Sequence, residues 1–397
     1  MKKIILFFTL SFFIFSQEFL FNNKKINLDI LNIENYTYIN IENLSLLNLN
    51  YSIQENKVKI KNSEFNLNFF LDTRELILNN KKLQLSNISF YKNNKIYVDF
   101  DFILYLIHLK RKDKEIIEIQ KKEIKEINTT FPIKKDMKKI ISLSPGITEK
   151  LYELGAFSLI VGRSIYDKYP QEVKNITEIG TMFSPKIESI IQLNPDIIIA
   201  ETHFDKKVLS KFNEAGINTL GISYASSIED IYENILEISL ITNLYYEGRG
   251  IVASLKNKVE RAKYINNKIE TKPTVYYSLG SGKVEYTAGR NTYISELINI
   301  AGGTNIADEV EGWVYNLESI VVENPDFIFS NKHNIEFMEK SPIYSNLKAF
   351  KNNKYFVIDE DILNLSSPRL INNGLYQLIK EFHGEEKLRE MDFNGTF

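Results

Sequence analysis

Side chains able to do covalent or metal chemistry are few and scattered in this chain. Its 397 residues include no cysteine, which removes disulfides, thiolate metal sites and a cysteine nucleophile in one step. The four histidines, His108, His203, His333 and His383, stand far apart, whereas a site for bare zinc or manganese draws several imidazoles and carboxylates together. No resident metal or other cofactor is therefore expected, and only His203 falls near an expected loop. Gly280-Ser281-Gly282-Lys283 follows a strand-like run but lacks the spacing of a phosphate loop and the hydroxyl residue after its lysine, so it reads as a turn. Neither a Gly-x-Ser-x-Gly elbow nor a His-Glu-x-x-His pair occurs. The residue inventory points away from an enzyme and toward non-covalent capture of a ligand.

Composition narrows the ligand. The chain carries 49 basic and 51 acidic side chains, a net charge of -2, so it lacks the basic excess of a nucleic-acid binder. Lys2 and Lys3 precede an apolar run from Ile4 to Phe15 and then Ser16-Gln17-Glu18, the order of a secretory signal, with residues 1–16 as the expected leader. That run is too short for a bilayer, which takes roughly 20 helical residues; an uncleaved anchor remains the alternative. With no cysteine to lipidate, the exported chain is expected free in a periplasm or medium, as a monomer.

The elements that must position a site fall into two regions. Residues 19–109 are rich in Asn, Ile, Leu and Tyr, with alternating runs such as Lys57-Val58-Lys59-Ile60-Lys61 between Asn-containing turns, which predicts short strands. Tyr36 to Asn48 and Ile96 to His108 each read as a strand followed by an apolar helix, a small duplicated module. Residues 110–137 are a mixed-charge run ending near Phe131-Pro132, expected as a partly helical linker.

From residue 138 to about 390, apolar runs alternate with amphipathic stretches, the pattern of an α/β fold with parallel sheets and covering helices. Ile140-Ile141-Ser142-Leu143, Ile197-Ile198-Ile199-Ala200, Thr219-Leu220-Gly221-Ile222, Val275-Tyr276-Tyr277 and Phe327-Ile328-Phe329 are the predicted strands. One element occurs twice: Ile187 to Ile198 and Leu317 to Ile328 share seven of twelve residues, each a short helix stopped by Asn-Pro-Asp and followed by an apolar strand. Two Rossmann-like lobes follow from this, residues 138–227 and 272–390. Between them, residues 228–271 hold hardly a breaker apart from Gly248 and Gly250, which predicts one long bridging helix ended by Lys272-Pro273.

Ile-Ser-Leu-Ser-Pro-Gly-Ile-Thr-Glu from Ile141, Tyr-Asp-Lys-Tyr-Pro from Tyr166, Ile-Gly-Thr-Met-Phe-Ser-Pro from Ile179, the two Asn-Pro-Asp elements, Ala-Gly-Gly-Thr-Asn from Ala301 and Ser-Ser-Pro-Arg-Leu from Ser366 follow one another in a recognisable order. In these the chain resembles the periplasmic binding proteins that serve ABC importers of cobalamin, ferric siderophores and haem. The resemblance implies two lobes on a stiff helical hinge, modest closure on binding, an iron or cobalt chelate in the cleft, and an importer permease as partner. The front module resembles the small domain named for the N-terminus of copper amine oxidases, through Asn22-Asn23-Lys24-Lys25, Asn79-Asn80-Lys81-Lys82 and Tyr97-Val98-Asp99-Phe100, without copper ligands.

Open α/β sheets bind ligands at the loops that follow their strands. In the first lobe these supply Ser144, Pro145, Gly146, Tyr166, Met182, Phe183 and Ser184; in the second, Arg290, Trp313, Tyr315 and Arg369. Aromatic walls with a few polar groups suit a large, partly apolar chelate, the arginines suit its carboxylates, and haem ligation through His203 or Tyr166 stays open. The resemblance further implies that one glutamate per lobe, Glu188 and Glu318, docks into arginine pockets of the permease; acidic residues also favour helix N-termini for electrostatic reasons alone. An envelope sensor or scaffold that binds without transport is the alternative function.

Overall fold

A computed structural model describes residues 14–118, except 22–23, 34–35, 64, 72, 86–88, 93–94, 108 and 113–114, and then residues 137–201, 206–282 and 284–391. Residues 1–13 of the expected leader, most of the expected linker, His108 and His203 lie outside the described residues. The chain divides into two compact units at Glu123/Ile124.

The first unit is β-rich. A five-stranded antiparallel meander runs from Asn50 to Gln84, with Val58 and Ile60 buried and Lys59 and Lys61 outward, as the alternation requires. A seven-stranded sheet holds the duplicated strands. Strand Tyr36–Asn40 leads into a 3-10 helix Ile41–Leu47 capped by Asn40, and strand Lys95–Asp99 leads into a helix Phe100–Leu106 capped by Asp99. The two strands pair antiparallel, Tyr97 opposite Asn40 and Asp99 opposite Tyr38. Phe100 meets Phe19 edge to face at 6.2 Å and Phe102 meets Phe69 at 6.2 Å, closing the core.

Two boundaries differ from the sequence reading. The first strand starts at Ile14, inside the expected leader, and pairs along its whole length with Lys24–Ile33. Strands Leu109–Lys112 and Glu115–Glu118, which from residue 110 on fall in the expected linker, form a hairpin whose second arm pairs parallel with that first strand. Its register sets Lys112 opposite Glu115.

The second unit carries two parallel sheets. In lobe one, β1 (Ile140–Ser142), β2 (Ile160–Arg163), β3 (Thr177–Glu178), β4 (Ile197–Glu201) and β5 (Asn218–Ile222) lie in the order β3-β2-β1-β4-β5. Helix α1 (Pro145–Leu154) follows β1, α2 (Ile187–Leu193) precedes β4, and α3 (Lys206–Glu214) connects β4 to β5. In lobe two, β6 (Thr274–Ser278), β8 (Thr304–Asn305), β10 (Phe327–Ser330) and β11 (Tyr355–Val357) lie in the order β8-β6-β10-β11, beside an antiparallel ribbon of β7 (Glu285–Tyr286) and β9 (Val314–Tyr315). Helix α6 (Tyr293–Ile300) follows β7, and α7 (Leu317–Glu323) precedes β10. The central strands are buried on both faces, which is why they read as unbroken apolar runs.

The repeated element has a mechanical explanation. Asn194 and Asn324 end α2 and α7 in the left-handed conformation, with φ of 47° and 44°. Two residues on, Asp196 Oδ2 accepts hydrogen bonds from the Lys138 and Lys139 amides at 2.9 and 3.0 Å. Asp326 Oδ2 likewise accepts from the Thr274 amide at 2.9 Å. Each Asn-Pro-Asp thus ends a helix and ties down the entry of the first strand of its lobe.

The single bridging helix is replaced by a helical hairpin. α4 (Ile228–Ile241) and α5 (Tyr245–Asn266) are separated by Thr242-Asn243-Leu244, with Asn243 at φ 57°. They run antiparallel, Lys256 Nζ lying 2.9 Å from Glu229 Oε1. Gly248 allows the close crossing: a Cβ there would sit 2.5 Å from Ser239 Cβ. α5 bridges the lobes, touching α1 of lobe one and both α6 and helix Tyr376–Met391 of lobe two, and α4 touches α1 and α6 as well. No helix among the described residues is long and apolar enough to cross a membrane.

Candidate functional site

The carboxyl ends of the lobe-one strands face lobe two. Glu201, the last residue of β4, accepts a hydrogen bond from Ser366 of lobe two at 2.8 Å. Tyr224, after β5, lies 6.4 Å from Tyr293 at the start of α6. Lys168, after β2, pairs with Asp361 at 3.0 Å. Glu296 of α6 caps the start of α4, accepting from the Ile228 amide at 2.8 Å. The space between the lobes is therefore walled by strand-following loops, as the topology demands.

Large apolar side chains stay uncovered on those loops. In lobe one, Tyr166 is 60% exposed and Phe183 81%. Their loops are held together by the Ile165 amide, which donates to Gly180 O at 3.0 Å. Gly180 has φ 88°, and a Cβ there would stand 2.4 Å from Ser184 O, so glycine is needed to close the Phe183 turn. In lobe two, Tyr286 and Val314 are directly opposite each other on the β7–β9 ribbon and both exposed. Uncovered apolar groups on strand-following loops are the kind of surface that ligands use.

Beneath them lies a polar network between the lobes. Lys150 of α1 is fully buried and its Nζ lies 2.8 Å from Glu201 Oε1 and 3.1 Å from Ser366 Oγ. Ser144 Oγ donates to the other Glu201 oxygen at 2.7 Å. Burial pushes the Glu201 carboxyl up, but the Lys150 charge and the hydrogen bonds from Lys150, Ser144 and Ser366 outweigh it and hold the group below the usual carboxylate value. Gly146 makes room for this carboxylate, since a Cβ would come within 2.6 Å of it. Beside it, Arg369 of lobe two bonds Glu149 of α1 at 2.7 Å and stacks over Tyr169 at 4.2 Å. Burial dominates at Glu149 and raises its carboxyl to about 7 against the opposing pull of Ser367 and Arg369. Asp167, whose Oδ2 accepts from Thr148 Oγ1 at 2.6 Å, is raised by burial to about 7 as well.

The predicted residues therefore divide. Tyr166 and Phe183 stand exposed on the facing loops, with Ser184 in the same turn and Trp313 half-buried beside the ribbon. Ser144, Pro145 and Gly146 open α1, and the Ser144 hydroxyl is engaged by Glu201. Met182 packs against the core of lobe one. Tyr315 turns into the core of lobe two, its hydroxyl donating to Ile306 O at 2.9 Å, because alternation on β9 sends it to the face opposite Val314. Arg369 is likewise no free cleft cation; it is committed to Glu149. Arg290 is exposed, 3.3 Å from Glu311, and borders a groove of about 710 Å³ with Lys263, Thr292 and Asp308. The sequence reading missed Lys150, Glu201, Tyr224 and Tyr286. Glu201 alone had a visible signal, an acid closing a wholly apolar strand. Among the described residues no group of three or more His, Asp or Glu could hold a metal ion.

Glu188 and Glu318 occupy equivalent first-turn positions of α2 and α7, both exposed. Ile191 and Val321 lie one turn further along the same helices and are 45% and 46% exposed.

This arrangement of lobes has counterparts of known class. The profile of the periplasmic binding protein family matches residues 140–362. The chain belongs to that family. Among its relatives is an uncharacterized ABC transporter substrate-binding lipoprotein of Bacillus subtilis, 29% identical over 279 residues, covering 68% of this chain and 84% of that one. A vitamin B12-binding protein of Vibrio parahaemolyticus is 25% identical over 257 residues, 64% of this chain and 92% of its own. The crystal structure of a possible iron-binding periplasmic solute-binding protein from Staphylococcus epidermidis superposes with a TM-score of 0.56 at 29% identity, over 63% of this chain and all of that one. Members of the binding-protein family are substrate-binding components, and those of ABC importers work with permeases.

Proposed function

We propose that this binding protein captures a metal chelate between its two lobes, leaves it chemically unchanged, and delivers it to the permease of an ABC importer outside the cytoplasm. The observation that carries this reading is the set of uncovered aromatic side chains, Tyr166, Phe183, Tyr224 and Tyr286, on facing strand-end loops. Flat aromatic surface of this kind matches a macrocycle or a chelate better than a bare ion. The vitamin B12-binding and possible iron-binding relatives agree with that ligand class.

Glu188 and Glu318 are the proposed docking contacts. Their support is positional: two exposed carboxylates at the same place in a duplicated element, one on each lobe, suit a partner with two like halves. The front module, residues 19–109, is read as the copper amine oxidase N-terminal-like domain, supported by its doubled strand and helix. Transport of a bound chelate by the reconstituted importer tests the whole reading. Glu188→Lys with Glu318→Lys should abolish uptake while leaving chelate binding intact, and unchanged uptake would remove the docking assignment.

A further inference from the structure

The charges at the strand ends are already spoken for, and this restricts the ligand. Lys150 is held by Glu201, Arg369 by Glu149, Lys168 by Asp361 and Arg290 by Glu311, at 2.8, 2.7, 3.0 and 3.3 Å. Arg163, which ends β2, bonds Ser164 O at 2.9 Å and has Glu178 at 4.0 Å. The first two pairs are buried, so neither cation can turn to a ligand without stranding a buried carboxylate, the costly half of a broken internal pair. The other two pairs are exposed and individually weak. Turning Arg290 or Lys168 toward an anion nevertheless leaves Glu311 or Asp361 beside the same anion. Asp359, 3.9 Å from Arg369 and 58% exposed, adds a further carboxylate. Among the described residues, the facing loops therefore offer apolar surface together with cations that each carry a carboxylate of their own.

We infer that the cleft takes a chelate without net negative charge, such as a corrinoid or an uncharged ferric hydroxamate, and discriminates against carboxylate-bearing or catecholate chelates. The inference rests on the chelate-capture reading above and narrows its ligand. It is tested by calorimetric titration of the full chain with four probes: cyanocobalamin, an uncharged ferric trihydroxamate, haemin with its two propionates, and a triply anionic ferric tricatecholate. One of the first two should bind about tenfold or more tighter than either anion, a gap of about 1.4 kcal/mol. Equal or tighter binding of haemin or the tricatecholate overturns the inference while chelate capture stands. Failure of all four to bind the folded protein overturns both.

Discussion

The guanidinium of Arg369 lies 2.7 Å from a carboxylate oxygen of Glu149, although the two residues are 220 positions apart and belong to different lobes. A residue whose motif suggests ligand contact thus fastens lobe two onto helix α1 of lobe one.

Breaking that pair from one side takes the close partner from a buried cation, leaving Arg369 with Asp359 at 3.9 Å. Glu149→Gln should lower unfolding free energy by about 3 kcal/mol in urea or guanidinium denaturation, within the range for one-sided loss of an internal ion pair. Were Arg369 a free ligand contact, stability would hardly move.

Asp167 makes stability depend on pH. Its folded value of about 7 lies above the ordinary 3.8, so between those values the folded state binds more protons than the unfolded state and stability falls as pH rises. Asp167→Asn removes the effect, while Glu149 and Glu237, also raised to about 7 by burial, remain in both proteins and cancel. The wild type should therefore lose stability relative to Asp167→Asn from pH 4 to 7, at about 1.4 kcal/mol per pH unit and by up to ~4 kcal/mol in all, and then level off. A difference independent of pH would show that Asp167 titrates normally.

Gly248 and Ser239 should be coupled. Gly248→Ala overpacks the helical hairpin and is expected to cost about 1–3 kcal/mol. Adding Ser239→Gly opens the space, so the double variant should be more stable than the sum of the singles by about 1 kcal/mol or more. Additivity would mean that the helices separate freely.

Phe183 should separate binding from folding. At 81% exposure it contributes little to stability, so Phe183→Ala should leave the melting temperature nearly unchanged while weakening chelate binding about tenfold, a loss of about 1.4 kcal/mol of ring contact.

Much of this architecture is visible in the amino-acid sequence, for physical reasons. Strands buried on both faces must be apolar throughout, so Ile197–Glu201 and Phe327–Ser330 stand out. The two Asn-Pro-Asp elements repeat because each lobe needs the same turn, with a left-handed Asn and an Asp that anchors a strand. The hairpin break at Thr242-Asn243-Leu244 escapes notice because no proline or glycine makes it; the left-handed Asn243 suffices, and Gly248 serves close packing instead of ending a helix. The site is less legible. Which side of a two-residue strand a tyrosine occupies separates Tyr286, exposed, from Tyr315, partly buried against the core, and that depends on ribbon register. Whether an arginine meets ligand or carboxylate depends on Glu149, hundreds of residues away in sequence.

The central claim is that one chelate enters between the lobes, and Trp313, the chain's sole tryptophan, half-buried beside the ribbon, reports on that space. Titration of the folded protein with cobalamin, haemin and ferric siderophores, followed by Trp313 emission, should give a saturable change at one chelate per chain. A flat emission trace, with equilibrium dialysis detecting no bound chelate, would contradict the account.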